Sequence, residues 1–493
     1  MTAKRHAGVL LHPTSLPGPG GIGTFGKQLI DFLNFLATAK FSLWQVLPLT
    51  PPAAGNSPYS AYSAFAGNHL MIDLQQLVDE GDLTQQRIEN EFPRDQVDFE
   101  QVIPWKEALL HEAATTFFNQ GHTTRLDEFW HFCDSTFWLH DYALFRALKN
   151  HHKNKPWHRW PREIALRNPA AVQQATSKLG TEIGVQKYLQ WQFFRQWQRI
   201  KTAATERGIA IIGDLPIFVA HDSADVWCNR ELFLLDLNGK PTEVAGVPPD
   251  YFSATGQLWG NPLYNWSAMS LQGYSWWIAR FRQMFDLFDQ VRIDHFRGFE
   301  AAWHVPASAK TAVHGAWLPG PGVAFFNAIR TSLGNLPFIA EDLGVITPEV
   351  ETLRDNFQLP GMKILQFAFD SDAANPYLPH NHVPNSVIYT GTHDNDTSKG
   401  WFDALSPKVK EQMYDYLGLP GLEPVQDLVR AALMSVSVSA IIPMQDLLEL
   451  PTEARMNRPG VALGNWSWRY QEQQVEEGLA DRYADLLKRY GRC

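Results

Sequence analysis

The sequence predicts an α/β fold, a (β/α)8 TIM barrel with inserted loop subdomains, and two observations support this fold class. Eight short apolar runs recur along the 493 residues, and each is continuous rather than alternating in polarity, as expected of buried parallel strands. Segments with helical periodicity lie between many of these runs. Alternation of strand and helix repeated in this way is typical of a single barrel domain, here spanning residues 1–493.

The predicted strands end in polar residues or turn residues. In chain order they are Gly8–Leu11, Phe41–Leu47, Ile209–Ile212, Gln290–Ile293, Pro337–Ala340, Met362–Phe367, Ser386–Tyr389 and Val436–Ile442. The predicted helices include Gly26–Ala39, Tyr274–Phe288, Val323–Leu333, Thr347–Phe357 and Pro424–Met434. We expect no helix between Phe367 and Ser386, where the chain is rich in Pro, Asn and His.

The largest interruption of the pattern is an insertion between the second and third strands. Residues 50–208 hold helical segments of their own, such as Thr136–Asn150 and Glu182–Glu206, and we expect a largely helical subdomain there. A separate N-terminal domain is the alternative, but it would detach the first two strands from the barrel. The chain ends in a charged helix, Tyr470–Tyr490, so no C-terminal β-domain is expected.

Composition excludes several classes of protein. Forty-two basic and fifty-two acidic residues give a net charge of −10, which offers no bulk attraction to nucleic acid or to an anionic membrane. Three distant cysteines, Cys133, Cys228 and Cys493, argue against a disulfide framework or a zinc site. The first residues show no signal-peptide pattern and no apolar run is long enough to span a membrane, so a cytoplasmic protein is expected.

Aromatic residues are abundant, with 18 Trp beside 14 Tyr and 30 Phe. Most of the Phe belong in a large core, but a buried Trp needs a partner for its N–H group. Flat rings flanked by polar groups also suit sugar rings, whose faces are apolar and whose edges carry hydroxyl groups. The aromatic content is therefore a weak indication of a carbohydrate ligand.

Four acids lie where predicted strands end, namely Asp214, Asp294, Glu341 and Asp394. Barrel enzymes carry their chemistry at this edge. Arg292 and Asp294 point to the same side of one strand, so the guanidinium is expected to keep Asp294 ionised, as a nucleophilic carboxylate must be. A purely structural Arg–Asp pair at the barrel mouth is the alternative.

The segments FIAEDLG and YTGTHDNDT carry the other two acids. Partial burial would raise the pKa of Glu341 and suit a general acid, although a buried acid bonded to the backbone is the alternative. Its neighbour Asp342 should face elsewhere and be structural. For YTGTHDNDT the alternative is a hydrated loop with Asx turns, which would explain Asp396 and Thr397 but accounts less well for His393 and Asp394. 

Nine segments together carry a resemblance that covers nearly the whole chain: GVLLHPTSLPGPGGIGTFG, WQVLPLTPP, NSPYSAYSAFAGN, GDLPIFVAHDSADVW, GVPPDYFSATGQLWGNPLYNW, RIDHFRG, AEDLG, YTGTHDNDT and GNWSWR. They resemble the amylomaltases, the 4-α-glucanotransferases of glycoside hydrolase family 77 in the α-amylase clan. The resemblance implies a (β/α)8 barrel with loop subdomains.

The resemblance also implies catalytic roles. Asp294 would be the nucleophile, Glu341 the acid/base, and Asp394 the third carboxylate, which would hold the distorted sugar by its 2- and 3-hydroxyl groups. Residues 240–270 would form a lid loop over the cleft. The implied substrate-binding residues are Ser57 and Tyr59 on a donor-sugar loop, Asp214, Arg292, His295 and His393 around the cleaved bond, Tyr251, Phe252, Gln257 and Trp259 on the lid, and Asn465 near the sugar.

The implied reaction is a retaining double displacement without metal or other cofactor. An α-1,4-glucan segment would pass from a donor maltooligosaccharide to the 4-hydroxyl of an acceptor such as glucose, in starch, glycogen or maltose metabolism. Retention requires the nucleophile and the acid/base to lie about 5–5.5 Å apart. A monomer or weak homodimer is expected.

Three alternatives to this function remain open from the residues. The first is an α-glucan hydrolase, because hydrolysis and transfer share one intermediate. The second is a metal-dependent barrel enzyme, since clustered carboxylates bind Mg²⁺, although Arg292 beside Asp294 argues against it. The third is a glucan-binding protein without catalytic activity.

Overall fold

The structure, a computed structural model, describes residues 4–53, 55–121, 123–249, 253–418 and 423–493. The strands in these ranges are β1 (His6–Leu10), β2 (Leu43–Gln45), β3 (Ala210–Pro216), β4 (Glu243–Val247), β5 (Gln257–Pro262), β6 (Gln290–Asp294), β7 (Ala301–Pro306), β8 (Ala316–Pro319), β9 (Phe338–Ala340), β10 (Gly361–Ile364), β11 (Ser386–Tyr389) and β12 (Ser439–Pro443).

The α-helices fall mostly between these strands and within residues 50–208. They are α1 (Lys27–Thr38), α2 (Leu74–Asp79), α3 (Gln85–Ile88), α4 (Phe99–Asn119), α5 (Thr124–Ser135), α6 (Leu139–His151), α7 (Arg162–Ala165), α8 (Pro169–Lys178), α9 (Gly180–Glu206), α10 (Ala224–Cys228), α11 (Trp266–Leu271), α12 (Ser275–Leu287), α13 (Gly322–Leu333), α14 (Pro348–Asn356), α15 (Ser398–Ala404), α16 (Pro407–Leu417), α17 (Pro424–Met434), α18 (Met444–Leu447) and α19 (Leu479–Arg489).

Eight strands form one parallel sheet that curves into a barrel. Their order is β10-β11-β12-β1-β2-β3-β6-β9, and every paired neighbour runs parallel. The two ends of the sheet meet where the N–H of Ala340 donates to the carbonyl of Pro360 at 2.9 Å. Each of the eight predicted strands overlaps one barrel strand, so the predicted fold class is confirmed.

Helices cover the barrel where the sequence predicted them, with one gap. Helices α1, α12, α13, α14 and α17 match the predicted segments, and no α-helix lies between β10 and β11 in the described chain, as expected. Trp44 on β2 packs against Trp197 on α9 with ring centroids 5.9 Å apart. Both indole N–H groups donate to backbone carbonyls, those of Leu11 and Leu287, which satisfies the buried polar atoms.

Residues 50–208 are mostly helical, and their last helix, α9, also belongs to the wall of the barrel. An ion pair with a buried carboxylate joins α5 and the segment after α2 to it. Arg125 on α5 donates to both carboxylate oxygens of Asp82 at 2.9 and 2.5 Å, and the hydroxyl of Tyr188 on α9 donates to the same carboxylate at 2.7 Å. Glu80 accepts a further bond from Arg125 at 2.8 Å.

A second, antiparallel sheet of order β5-β4-β7-β8 adjoins the mouth of the barrel. The sequence does not predict this sheet: residues 240–270 are expected to be a lid loop, whereas β4 and β5 lie in that range. Its strands are short, and β5 is largely exposed, so they lack the continuous apolar pattern that marked the barrel strands. The sheet still places Trp259 on a paired strand.

The C-terminal helix α19 is shorter than the predicted Tyr470–Tyr490. A short 3-10 helix, Glu472–Gln474, precedes it, and Gly478 adopts a left-handed backbone with φ of 84° at its start. That conformation favours glycine and separates the two helical segments. In the described part of the chain, none of the helices combines the length and the apolar character that a membrane crossing requires.

Candidate active site

The four predicted acids come from four strands of the barrel and lie at one end of it. Asp214 lies on β3, Asp294 is the last residue of β6, Glu341 follows β9 directly, and Asp394 lies in the loop after β11. Because all barrel strands are parallel, their carboxyl ends share one edge.

Arg292 lies between two of these carboxylates. Its Nη1 donates to both oxygens of Asp214 at 2.8 Å, and its Nη2 lies 3.0 Å from Oδ1 of Asp294. Asp214 and Arg292 are also register partners on neighbouring strands. The predicted Arg292–Asp294 pair is therefore present, but the guanidinium is shared with Asp214, which the sequence reading did not anticipate.

Glu341 is held against the segment that follows Asp294. The N–H of His295 donates to Glu341 Oε2 at 2.7 Å, and the N–H of Leu343 donates to Oε1 at 3.0 Å. His295 adopts a left-handed backbone with φ of 54°, which turns the chain after β6. Since His295 directly follows Asp294, the two carboxyl groups lie at neighbouring positions of the barrel mouth.

Burial governs the pKa of both Asp294 and Glu341. It raises each above its ordinary value, and the negative charges of Asp214, Glu341 and Asp394 raise the pKa of Asp294 further. Arg292 opposes the rise at both groups, and the two backbone N–H donors oppose it at Glu341. The expectation that Arg292 alone would hold the pKa of Asp294 low is wrong, because burial outweighs the guanidinium. The negative charge of the adjacent Asp342 adds to the rise at Glu341.

Tyr59 and His393 line the same end of the barrel. The hydroxyl of Tyr59 donates to Asp214 at 2.6 Å, and its ring stacks on His393 with centroids 5.1 Å apart. Burial lowers the pKa of His393 and raises that of Tyr59, so both rings are neutral at neutral pH. His393 lies 3.4 Å from Oδ1 of Asp394, whose side chain is 48 % exposed.

The sequence reading missed two residues that contact Asp394. Asn457 donates from Nδ2 to Asp394 Oδ1 at 2.6 Å, and Arg455 donates from Nη2 to the Asp394 carbonyl at 2.6 Å. They lie in the segment after β12, more than sixty residues along the chain, at sequence separations of 63 and 61. No local pattern marks this segment, so only the folded chain reveals the contact.

Trp259 on β5 reaches the same site. Its ring meets that of His295 edge-on, with centroids 4.7 Å apart, and its indole N–H donates to Gln257 at 3.2 Å. Burial lowers the pKa of His295 to about 3, and its buried Nε2 has no hydrogen-bond partner among the described residues. A neutral imidazole nitrogen of this kind can bond a ligand hydroxyl. Tyr251 and Phe252 lie outside the described residues.

Two of the other predicted binding residues make supporting contacts. Ser57 Oγ accepts the N–H of Tyr59 at 3.3 Å. Asn465 bonds within its own loop, accepting the N–H of Arg458 at 3.0 Å and donating to Val461 at 2.8 Å. 

Asp342 and Asp396, which the sequence predicts to be structural, bond to side chains and backbone groups of the scaffold. Asp342 accepts Arg354 at 2.5 Å and the N–H of Met362 at 2.7 Å. Asp396 accepts the hydroxyl of Thr452 at 3.1 Å, and Thr397 caps α15 through the N–H of Gly400. Within the described ranges, no cluster of three or more His, Cys, Asp or Glu side chains is arranged to hold a metal ion.

Comparison with known proteins agrees across sequence and structure. The family model described as 4-alpha-glucanotransferase, glycoside hydrolase family 77, matches residues 11–475. A 4-alpha-glucanotransferase of Synechocystis sp. is 50% identical over 100% of this chain and 99% of its own length, and one of Thermus thermophilus is 50% identical over 95% of each chain. The structure of an amylomaltase from Streptococcus agalactiae in complex with acarbose superposes with a TM-score of 0.97 at 38% identity, over 99% of this chain and 100% of that one.

Proposed function

Since the chain belongs to glycoside hydrolase family 77 and is a 4-alpha-glucanotransferase acting on α-1,4-glucans, we propose that Asp294, Glu341 and Asp394 share its chemistry as nucleophile, acid/base and third carboxylate. One observation carries this assignment. Arg292 contacts Asp294 at the end of β6, while Glu341 is bonded to the very next backbone N–H. The two carboxyl groups therefore flank one point of the barrel mouth.

In the first step Glu341 donates its proton to the glycosidic oxygen, and Asp294 attacks the anomeric carbon. The bond from that carbon to the leaving sugar breaks as the bond to the Asp294 carboxylate forms, which leaves a covalent glucosyl-enzyme. The burial that raises the pKa of Glu341 favours the protonated form that this step needs. Arg292 stabilises the ionised form of Asp294.

In the second step Glu341, now a carboxylate, takes the proton of the acceptor 4-hydroxyl. The acceptor oxygen then attacks the anomeric carbon and releases Asp294, so two inversions retain the α-configuration. A donor maltooligosaccharide would supply the glucosyl segment, and glucose or a longer glucan would accept it. Water would give hydrolysis through the same intermediate, so its exclusion determines the product.

Asp394 suits the role of holding the sugar. Its described contacts engage only one carboxylate oxygen, Oδ1, and the side chain is half exposed toward the cleft. The neutral rings of Tyr59, His393 and His295, with Asp214 and Arg292 behind them, supply further groups for sugar hydroxyls and faces. Ser57, Gln257 and Asn465 would shape the loops that carry these contacts.

We further propose that the segment 240–270 covers bound sugar, because Trp259 on β5 reaches His295 beside the nucleophile. Its ring is 38 % exposed, which leaves a face for an acceptor glucose unit. A ring there would also displace water from the anomeric carbon.

We also propose that the protein is cytoplasmic and that it is a monomer or a weak homodimer. The three described cysteines are all free thiols, as is usual in a reducing compartment. The net charge of −10 disfavours self-association. Light scattering behind size exclusion measures the oligomeric state.

Maltotriose tests the function, because a transferase converts two molecules to glucose and maltopentaose and then to longer chains, while a hydrolase yields only glucose and maltose. Asp294→Asn should abolish both products, and nuclear magnetic resonance should show that every newly formed glycosidic bond is α-linked. Full activity in EDTA is expected of a metal-free mechanism. A β-linked transfer product would refute the double displacement.

A further inference from the structure

We propose that Asn457 is a positioning residue that fixes the orientation of the Asp394 carboxylate through its contact with Oδ1. This inference rests on the role of Asp394 proposed above. It assigns a reaction-related task to the segment 455–457, which lies after β12, outside the strand ends that carry the acids themselves.

The contact has the geometry of a strong hydrogen bond. The Nδ2 of Asn457 lies 2.6 Å from Asp394 Oδ1, and the acceptor is a carboxylate. His393 approaches the same oxygen with its Nε2 at 3.4 Å. The Asn457 donor fixes the rotation of the carboxylate plane and directs Oδ2 away from it. Among the described residues, no protein group donates to Oδ2.

Asn457 is itself anchored by backbone contacts to the same loop. Its N–H donates to the carbonyl of His393 at 3.1 Å, and its own carbonyl accepts Arg455 Nε at 2.7 Å. The same guanidinium donates from Nη2 to the carbonyl of Asp394 at 2.6 Å. Met456, between the two, is buried, as the alternation of an extended segment requires. Arg455 and Asn457 therefore face Asp394 together.

The loop that carries Asp394 needs such an anchor. Its own turn fixes the backbone, because Asn395 Oδ1 accepts the N–H and the hydroxyl of Thr392 at 2.9 and 2.8 Å. Within that turn no hydrogen bond reaches the carboxylate, which only His393 approaches, at 3.4 Å, and the side chain is 48 % exposed. Without Asn457 the carboxylate would sample other rotamers before the sugar arrives. Preorganisation of a charged group acts mainly on the transition state. Loss of the Asn457 contact should therefore lower kcat more than it raises KM.

Asn457→Ala removes the side-chain donor but keeps both backbone contacts of residue 457. We expect kcat for maltotriose disproportionation to fall about 10- to 100-fold, the range for one hydrogen bond to a charged group, with KM changed less than about threefold. The thermal unfolding midpoint should stay at the wild-type value. The matched control is Asn385→Ala, an exposed asparagine at the opposite end of β11 whose side chain bonds only Gln358 among the described residues, and it should retain wild-type kcat.

Asn457→Asp provides a readout that a purely structural role would not change. At neutral pH the new carboxylate repels Asp394, but below its pKa its O–H can donate to Oδ1 in place of the amide. The ratio of its kcat to that of Asn457→Ala should therefore rise as pH falls. The charged and titratable groups around this contact include His393, Arg455, Asp396, Arg458, Tyr59 and Asp294. They are common to both variants and cancel in the ratio.

Asp394→Asn separates the two levels of the argument. If it retains wild-type kcat, the proposed role of Asp394 is wrong. If it is inactive while Asn457→Ala keeps wild-type kcat, or while the Asn457→Asp to Asn457→Ala ratio does not change with pH, the positioning role of Asn457 is overturned.

Discussion

Replacing Asp214 by Asn should both destabilise the barrel and shift the pH dependence of catalysis. The side chain of Asp214 is fully buried, and it accepts two bonds from Arg292 at 2.8 Å and one from Tyr59 at 2.6 Å. Removing one partner of a buried ion pair costs about 3–5 kcal/mol in free energy of unfolding. Because Arg292 retains Asp294 as a second partner at 3.0 Å, we expect a loss near the lower limit, about 3 kcal/mol.

The catalytic effect has a definite sign. The charge of Asp214 raises the pKa of Asp294 and also offsets the charge of Arg292, which lowers it. Removing the carboxylate leaves the guanidinium acting alone, so the pKa of Asp294 must fall. The acid limb of the kcat/KM profile, which reports ionisation of the nucleophile in the free enzyme, should then move to lower pH.

Asp82→Asn is a closely matched control. Asp82 is equally buried, accepts two bonds from Arg125 and one from Tyr188, and its arginine likewise keeps a second carboxylate, Glu80. It lies in the helical insertion, so it should lower the free energy of unfolding by a similar amount and leave the pH profile unchanged. Urea unfolding and initial rates with maltotriose between pH 4 and pH 9, about the range where these groups titrate, measure both quantities. An acid limb that stays in place in Asp214→Asn, or moves equally in Asp82→Asn, would refute the reasoning.

Three further predictions follow from the site. Asp294→Asn should stabilise the folded protein at neutral pH by about 0.5–2 kcal/mol. The pKa of Asp294 is higher in the folded protein than in the unfolded chain, so the wild-type protein loses stability as pH rises above the unfolded pKa, and the Asn variant does not. Urea unfolding at pH 4 and pH 8 checks that the gain grows with pH. Glu341→Gln should lower kcat for maltotriose about 100- to 10,000-fold but slow glucosylation by α-maltosyl fluoride far less, since fluoride leaves without a proton donor. Trp259→Ala should lower kcat/KM for maltotriose about two- to tenfold and raise the share of hydrolysis products on chromatography, whereas an unchanged share would contradict a role of this ring in excluding water.

The parts of the site that the sequence predicted are those that depend on local rules. A continuous apolar run followed by an acid marked Asp214, Asp294 and Glu341, and barrel closure then brought these strand ends together. Alternation along β6 placed Arg292 beside Asp294, and the structure confirms the contact at 3.0 Å.

The parts that were missed depend on long-range register. The pairing of Arg292 with Asp214 joins residues 78 apart through the alignment of β3 with β6, which no single segment encodes. Asn457 reaches Asp394 across 63 residues from the loop of the neighbouring strand. The antiparallel sheet that carries Trp259 was read as loop because its short, exposed strands have no continuous apolar run.

The shared guanidinium explains how one site can hold a base and an acid at the same pH. Asp214 offsets part of the charge of Arg292, so burial dominates at Asp294 and Glu341 and raises both pKa values, and the charge of Glu341 adds to the rise at Asp294. A pair of this kind gives up its two protons at well-separated pH values and keeps a single proton between them. Without the charge of Asp214, Arg292 would favour the ionised form of both carboxyl groups more strongly, and Glu341 would hold its proton less well. Asp214 touches neither reacting group. By offsetting the charge of Arg292, it therefore helps Glu341 to keep its proton while Asp294 is charged.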